Sequence, residues 1–478
     1  MWGLDTIIPW TPSPPGIQIE LIAINALRDE NELVALIGSA NSGPQGRYGL
    51  VGIPSKTTIV DKDGSNLDEA LPIDQRLKVI ALGYELGRNW VHLDPKPGPA
   101  GQPPGFVFEF ENAIIVDHWK QLYTLVGKPN ATSDKLTDSL LPPHHPLSPP
   151  CTQPIRLIPT VSDAEHSRRI ELTQDHIAAG DIYQANIARR LEVSGELCGI
   201  GAITALSRIN PVAHGAYIKW GEFELASNTM ETLFSYEPHN RRIASFPIKG
   251  TCERVGNESP ESPRAKELLA TPKERAEHVM IVDLVRNDLG RICEPGSVQV
   301  PRLMGLEGYK GVWHGVSTVE GKLRPEMELS DGIRSLFPGG SITGAPKRRS
   351  MELIQEIEKE PRGFYTGSIG LITPQGYANV SILIRTLIKD DNGWGVSVGG
   401  GIVWDSNSER EITETWEKVS VFQSALRPEK NESKTDRRKN GKIGLSQTRD
   451  STGSNTANEL MSKAASKLSR SAAGSTIS

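Results

Sequence analysis

The chain is predicted to be an α/β protein, on three observations. Residues 162–426 alternate helix-period and strand-period segments with little linker composition between them, so they read as one compact body. Residues 1–126 read as short strands and turns with one or two helices. Phe337 to Lys347, FPGGSITGAPK, is a glycine-rich turn that feeds a helix start. The length of 478 residues allows two or three ordinary domains, or one large α/β domain with additions.

Composition narrows the function classes. The 37% hydrophobic and 23% charged residues are those of a globular chain. A net charge of −5 argues against a general nucleic-acid binder, which needs a basic field. No stretch approaches the roughly 18 apolar residues of a membrane span. The start, MWGLDTIIPW, lacks the basic and apolar regions of a secretion signal. Cys151, Cys198, Cys252 and Cys293 lie far apart with no metal spacing and read as reduced thiols, which points to the cytoplasm.

In chain order, Leu33 to Gly38 is a short apolar run bounded by turn residues, hence a strand. SANSGPQGRYGLVG follows as a loop returning into another strand. PKPGPAGQPPG at 95–105 must be a surface loop, because proline cannot serve a central strand. LPPHHPLSPPC marks a proline-rich connector within 127–160. SDAEHSRRIELTQDHIAAG, from Ser162, is a helix with a Ser/Asp start and a glycine stop. These breaks divide the chain into 1–160, 161–426 and 427–478. The last piece carries eleven Lys/Arg against five Asp/Glu and little to bury, so a disordered basic tail is expected.

Several residues have the chemistry for a site. The 337–347 turn fits both a tight strand-to-helix join and an anion cradle, with Pro346 at the first helical position. It lacks the Gly-Lys-Ser/Thr of a nucleoside-triphosphate loop. Thr271-Pro272-Lys273-Glu274 fits a capping box, and Glu277 lies one turn on. Ser408-Glu409-Arg410-Glu411 repeats the form, with Glu414 one turn on. Exposed helix glutamates are common, but two helices each offering carboxylates could hold Mg²⁺. Lys249, between an apolar strand end and Gly250-Thr251, is either a surface lysine or a desolvated amine fit for nucleophilic attack. His314 is an acid/base candidate or a structural histidine. Arg385 sits in the apolar run Ala378 to Leu387, read as one strand, where an arginine usually meets a carboxylate or phosphate. Gly399-Gly400-Gly401 lets backbone approach a ligand closely.

Together these segments carry a resemblance. DIYQANIARR, FPIKGT, AEHVMIVDLVRNDLG, HGVSTVEG, GGSITGAPK, RGFYTGSIG, NVSILIRT and GGGIVWDS…EITET occur in that order over about residues 162–426. The chain thereby resembles the chorismate-utilising enzymes, which include anthranilate synthase, aminodeoxychorismate synthase, isochorismate synthase and salicylate synthase. The resemblance implies a large sandwich of two packed, mainly antiparallel sheets with helices outside. Residues 1–160 would then form its regulatory half and 161–426 its chorismate-binding catalytic region. It implies Mg²⁺ held by Glu277 and Glu414, supported by Glu274 and Glu411. It places Thr343, Lys347, Tyr365, Arg385, Gly400, Gly401 and Lys418 on the substrate, with His314 and Glu231 among the catalytic groups. Glu231 matches the general acid of a Ser-Pro-Glu motif, although Thr229-Met230 stand where that motif has Ser-Pro.

Lys249 in PIKGT resembles the aminodeoxychorismate branch, since anthranilate synthases typically carry alanine there. That branch implies attack of the lysine amine at C2 with loss of the C4 hydroxyl. Ammonia then enters at C4 and expels the lysine. Nothing in the chain resembles a glutaminase, so ammonia is expected from a separate glutamine amidotransferase subunit. The GSANSGPQGRYG loop loosely resembles the family's tryptophan pocket, which implies a tryptophan-like ligand near Ser39 and Tyr48.

Overall fold

The computed structural model describes residues 4–8, 17–39, 43–72, 74, 76–141, 146–256, 258–309 and 312–428. Met1–Glu429 forms one compact unit, and the expected basic tail lies almost wholly outside the described residues.

Among the described residues, two sheets of twelve and ten strands form the body, and every strand pairing is antiparallel. The first sheet begins with N-terminal strands, Leu4–Ile8, Leu122–Val126, Ala113–Asp117, Tyr48–Gly52 and Glu32–Ile37. It continues through His214–Trp220, Phe223–Thr229, Thr386–Asp390, Gly393–Ile402, Gln184–Ser194 and Gly344–Ala345. The second runs through Ile248–Glu253, Val312–Lys322, Arg242–Ser245, Thr232–Glu237, Ala378–Ile382 and Ser368–Ile372. It ends on N-terminal strands Leu77–Leu82, Gly105–Phe110 and Lys56–Ile59. Residues 1–160 and 161–426 therefore share both sheets.

The layering follows from period-two alternation. Val34 packs between the sheets with Ile218, Phe106 and Ile369, while its neighbours Leu33 and Ala35 face the outer helices. Ile200, Val419 and Phe422 cover one outer face, and Val282, Ile333 and Met351 cover the other. The sandwich is the one expected. The helix from Ser162 is present as Asp163–Ala178, with the Ser162 side chain accepting from the Glu165 N–H at 3.2 Å. Gly180 stops it at φ +81. A helix at Ala131–Asp138, capped by Asn130, interrupts the connector that composition marked as irregular.

Three local expectations need correction. Ala378 to Leu387 is two strands, Ala378–Ile382 and Thr386–Asp390, which lie in different sheets. Thr271 makes no capping bond: its hydroxyl turns back onto the Glu267 carbonyl at 3.0 Å, because another helix, Pro263–Ala270, ends there. The cap of the helix Ser408–Ala425 is Asn407, one residue before Ser408, accepting from the Arg410 N–H at 3.1 Å.

Candidate active site

A cavity of about 770 Å³ opens between the helices Pro272–Gly290 and Ser408–Ala425, over the strand Gly393–Ile402. Two sheet-to-sheet crossings build one wall. The chain passes from Phe223–Thr229 to Thr232–Glu237 through Met230-Glu231, and from Ala378–Ile382 to Thr386–Asp390 through Leu383-Ile384-Arg385. Both crossings put a charged side chain into the cavity, Glu231 and Arg385. Arg385 adopts a left-handed conformation, φ +54, which turns its side chain out of the strand direction.

Glu231 is buried, and burial raises its pKa; the Ser341 hydroxyl, donating to Oε1 at 2.5 Å, opposes that rise. The Lys249 and Lys418 charges oppose it too, and the net shift is toward the protonated form. Burial also lowers the Arg385 guanidinium pKa, with Glu414 opposing. His314, on Val312–Lys322, is buried with neither ring nitrogen partnered. Burial and then the Arg385 charge bring its pKa down to about 4, so it is a neutral imidazole at pH 7. Tyr365 is buried at the back of the cavity, its phenol pushed up to about 12.

Lys249 enters from Ile248–Glu253 at a bulge, where Gly250 at φ +76 re-aims the strand. Its ammonium stands 3.8 Å from the Glu277 carboxylate. A Cβ on Gly401 would stand 3.1 Å from Lys249 Nζ and from Gln184 Nε2 alike, so the glycine gives both groups their room. Across the cavity, Lys418 donates to the Gly399 carbonyl at 2.7 Å and pairs with Glu414 at 2.7 Å.

Glu274 and Glu277 on one helix, and Glu411 and Glu414 on the other, line the same cavity. Glu411 accepts from the Ser406 hydroxyl at 2.8 Å, and its other oxygen lies 3.0 Å from where a Cβ on Gly400 would be. Among the described residues no three His, Cys, Asp or Glu side chains form a closed metal cage. Mg²⁺ needs none, since it keeps several waters and takes one or two carboxylates plus ligand oxygens. This all-oxygen donor set, open to the cavity, fits such a cation.

The cavity thus gathers Glu231, Lys249, His314, Tyr365, Arg385, Gly400, Gly401, Lys418 and the paired Glu274, Glu277, Glu411 and Glu414. Thr343 and Lys347 do not line it. Lys347 is buried in an ion pair with Asp288, 2.6 Å, and also donates to the Leu336 carbonyl at 3.2 Å. Thr343 is buried, its hydroxyl donating to the Gly339 carbonyl at 2.8 Å. The anion cradle is also not formed as expected. Gly344–Ala345 is a short strand paired with Gln184 and Ala185, and Pro346 caps the helix Lys347–Glu358 from outside it. From this loop, Ser341 and Ile342 reach the cavity.

Sequence reasoning missed Ser341, Asn186 and Arg410, which line the cavity. It also missed Gln184, fully buried with both amide atoms unpartnered. Gln184 lay inside the quoted DIYQANIARR, but a glutamine in a strand carries no signal of its own.

Elsewhere, all four cysteines are free. No helix of the described residues is long and apolar enough to cross a membrane. Near the expected tryptophan pocket, Tyr48 lines a cavity of about 30 Å³ between the sheets, with Ile37, His214 and Tyr377. Among the described residues that is room for a water or two, and residues 40–42 of the GSANSGPQGRYG loop lie outside the described residues.

The model of the chorismate binding enzyme family matches residues 56–424. Aminodeoxychorismate synthase component 1 of Salmonella typhimurium is 36% identical over 340 residues, covering 71% of this chain and 74% of the relative. Anthranilate synthase component 1 of Spirochaeta aurantia is 34% identical over 360 residues, covering 72% and 74%. The crystal structure of anthranilate synthase component I from Streptococcus pneumoniae superposes with a TM-score of 0.67 at 25% identity, covering 88% of this chain and 95% of that one. The menaquinone-specific isochorismate synthase of Escherichia coli shares the fold at TM-score 0.68 and 16% identity, covering 88% and 94%. With the family model spanning most of the chain and relatives above one-third identity over 71% of it, this chain belongs to the chorismate binding enzyme family.

Proposed function

We propose that the chain is an aminodeoxychorismate synthase component I. It would convert chorismate and ammonia to 4-amino-4-deoxychorismate, in p-aminobenzoate and folate synthesis, with ammonia from a glutamine amidotransferase partner. The observation that carries this reading is Lys249: a primary amine inside the cavity, beside Glu277 and over Gly401.

Each residue's part follows from its surroundings. Arg385 and Lys418 offer positive charge to a dianion, and the Gly400 and Gly401 backbone lets it lie close to the sheet. The four glutamates are the residues that would hold Mg²⁺, whose chemistry there is to neutralise the ring carboxylate. The Lys249 amine, once deprotonated, attacks C2 as the C4–O bond breaks. Glu231, which burial shifts toward the protonated form, gives its proton to the leaving hydroxyl, which departs as water. Ammonia then forms the C4–N bond and the lysine leaves as the free amine. His314, neutral at pH 7, is a hydrogen-bond partner for substrate oxygen and not a cationic acid.

A second reading, anthranilate synthase component I, is supported by relatives of that name at similar identity. Lys249 weighs against it, because ammonia must reach C2 in that reaction, where the amine stands. Chorismate, ammonia and Mg²⁺ with the purified chain, followed by chromatography, separate the two. 4-Amino-4-deoxychorismate supports the proposal; anthranilate with pyruvate, or isochorismate, refutes it.

A further inference from the structure

A second cavity, of about 330 Å³, lies behind the first and shares Tyr365 and Ser397 with it as lining. It exists because one edge of the strand Gln184–Ser194 is incompletely covered. Gln184 and Ala185 pair with Gly344–Ala345, and residues 191–194 pair with Arg156–Pro159. Between these two pairings no strand covers the edge, and the Ala188 N–H donates to the Glu358 carboxylate at 2.7 Å instead.

Four arginines line this opening: Arg169, Arg189, Arg190 and Arg362. Three have partners. Arg362 is held by Glu358 at 2.6 Å, Arg190 by Asp390 at 3.1 Å, and Arg189 by Asp163. Arg169 is different. Its side chain is 7% exposed, and its nearest carboxylate, Glu165, is itself 40% exposed and 3.8 Å away, beyond hydrogen-bond reach. Arg169 Nε and Arg189 Nε are both buried without a hydrogen-bond partner. Of the remaining lining carboxylates, Glu192 and Glu360 are exposed to solvent. Water in the cavity would satisfy the orphaned N–H groups, but it would not offset a buried guanidinium charge.

We propose that this second cavity binds a small oxyanion, a carboxylate or a phosphate, between Arg169 and Arg189. Guanidinium groups with free N–H donors suit either through paired hydrogen bonds. The site is separate from the one described above and does not depend on the reaction assigned there.

The test is calorimetric titration of the full chain with inorganic phosphate and, separately, with formate. At least one of the two should bind saturably, and which one binds tells tetrahedral from planar anions. Arg385→Met, which alters only the first cavity, should bind the anion as the wild type does. Arg169→Met should weaken binding about tenfold or more. No heat with either anion, equal affinity in Arg169→Met, or loss of binding in Arg385→Met would each overturn the proposal. Should Arg169→Met fail to fold, crystals of the wild type soaked in selenate decide it. Anomalous density between Arg169 and Arg189 supports the site, and its absence there refutes it.

Discussion

Glu231 and Arg385 stand at two of the places where the chain leaves one sheet for the other, and their backbones tie these two crossings together. The Ile382 N–H donates to the Glu231 carbonyl at 3.0 Å, and the Asn228 N–H donates to the Arg385 carbonyl at 3.1 Å. A carboxyl and a guanidinium are thus carried on backbone held from both sheets, which is how a rigid scaffold presents reacting groups.

The first prediction concerns the acid. Burial raises the Glu231 pKa, and in its proposed role as general acid the carboxyl would act only while protonated. Ammonia-dependent turnover, at constant free ammonia, should therefore fall as pH rises through that pKa. Glu231→Gln should lose about 10²–10⁴-fold in kcat with its melting temperature nearly unchanged. A kcat within a few-fold of wild type would remove Glu231 from the mechanism.

Metal dependence is the second. Glu277→Gln and Glu414→Gln should each abolish Mg²⁺-stimulated turnover while the circular dichroism spectrum stays native. Full activity of both variants in EDTA would show that the glutamates hold no functional ion.

Gly401→Ala tests the crowding around the amine. The added methyl would stand 3.1 Å from Lys249 Nζ and Gln184 Nε2, so the amine must shift. Gly401 does not have a positive φ, and alanine fits the strand. We expect kcat to fall about tenfold or more from a displacement of under 1 Å, with a stability loss of about 1 kcal/mol. Unchanged kcat would mean that Lys249 does not work from this position.

Acid should destabilise the fold. His166, His214, His278 and His314 are buried, with pKa values lowered to about 4. The unfolded chain binds protons on these groups near 6.5 and the folded one does not. Their contribution is complete above about pH 6.5 and is lost as pH falls toward 4, by about 1.4 kcal/mol per histidine per pH unit. His118 works in the opposite sense: Glu20, 2.7 Å away, raises its pKa, so its contribution is lost as pH rises. Glu85, raised by burial to about 7, and Glu231, also raised, work in the same sense as His118; the four histidines outweigh these three, and the melting temperature should be lower at pH 5 than at pH 7. Equal midpoints would contradict the burial argument.

Much of this architecture is legible in the sequence, and the reasons for the rest are physical. The Ser162 start and Gly180 stop are local signals and appear where expected. Glu274 and Glu277 share a helix face by spacing alone, and the structure turns that face to the cavity. The sheet switch before Arg385 was hidden because Leu383 and Ile384 are apolar on both sides of the bend, so the run reads as one strand. Lys347 was misjudged because its partner, Asp288, is 59 residues away on another helix, and no local pattern records such a pairing. Capping failed at Thr271 for a local reason that spacing does not show, the immediately preceding helix competing for the hydroxyl.

The central claim is that Lys249 forms a covalent bond to the substrate ring. Mass spectrometry of the wild-type chain incubated with chorismate and Mg²⁺, without ammonia, should show an adduct on the peptide containing Lys249. Lys249→Ala should show none, and its amination at C4 should fall steeply while chorismate binding, held by Arg385 and Lys418, stays nearly intact. An unmodified wild-type peptide, together with 4-amino-4-deoxychorismate made by Lys249→Ala at the wild-type rate, would contradict the account.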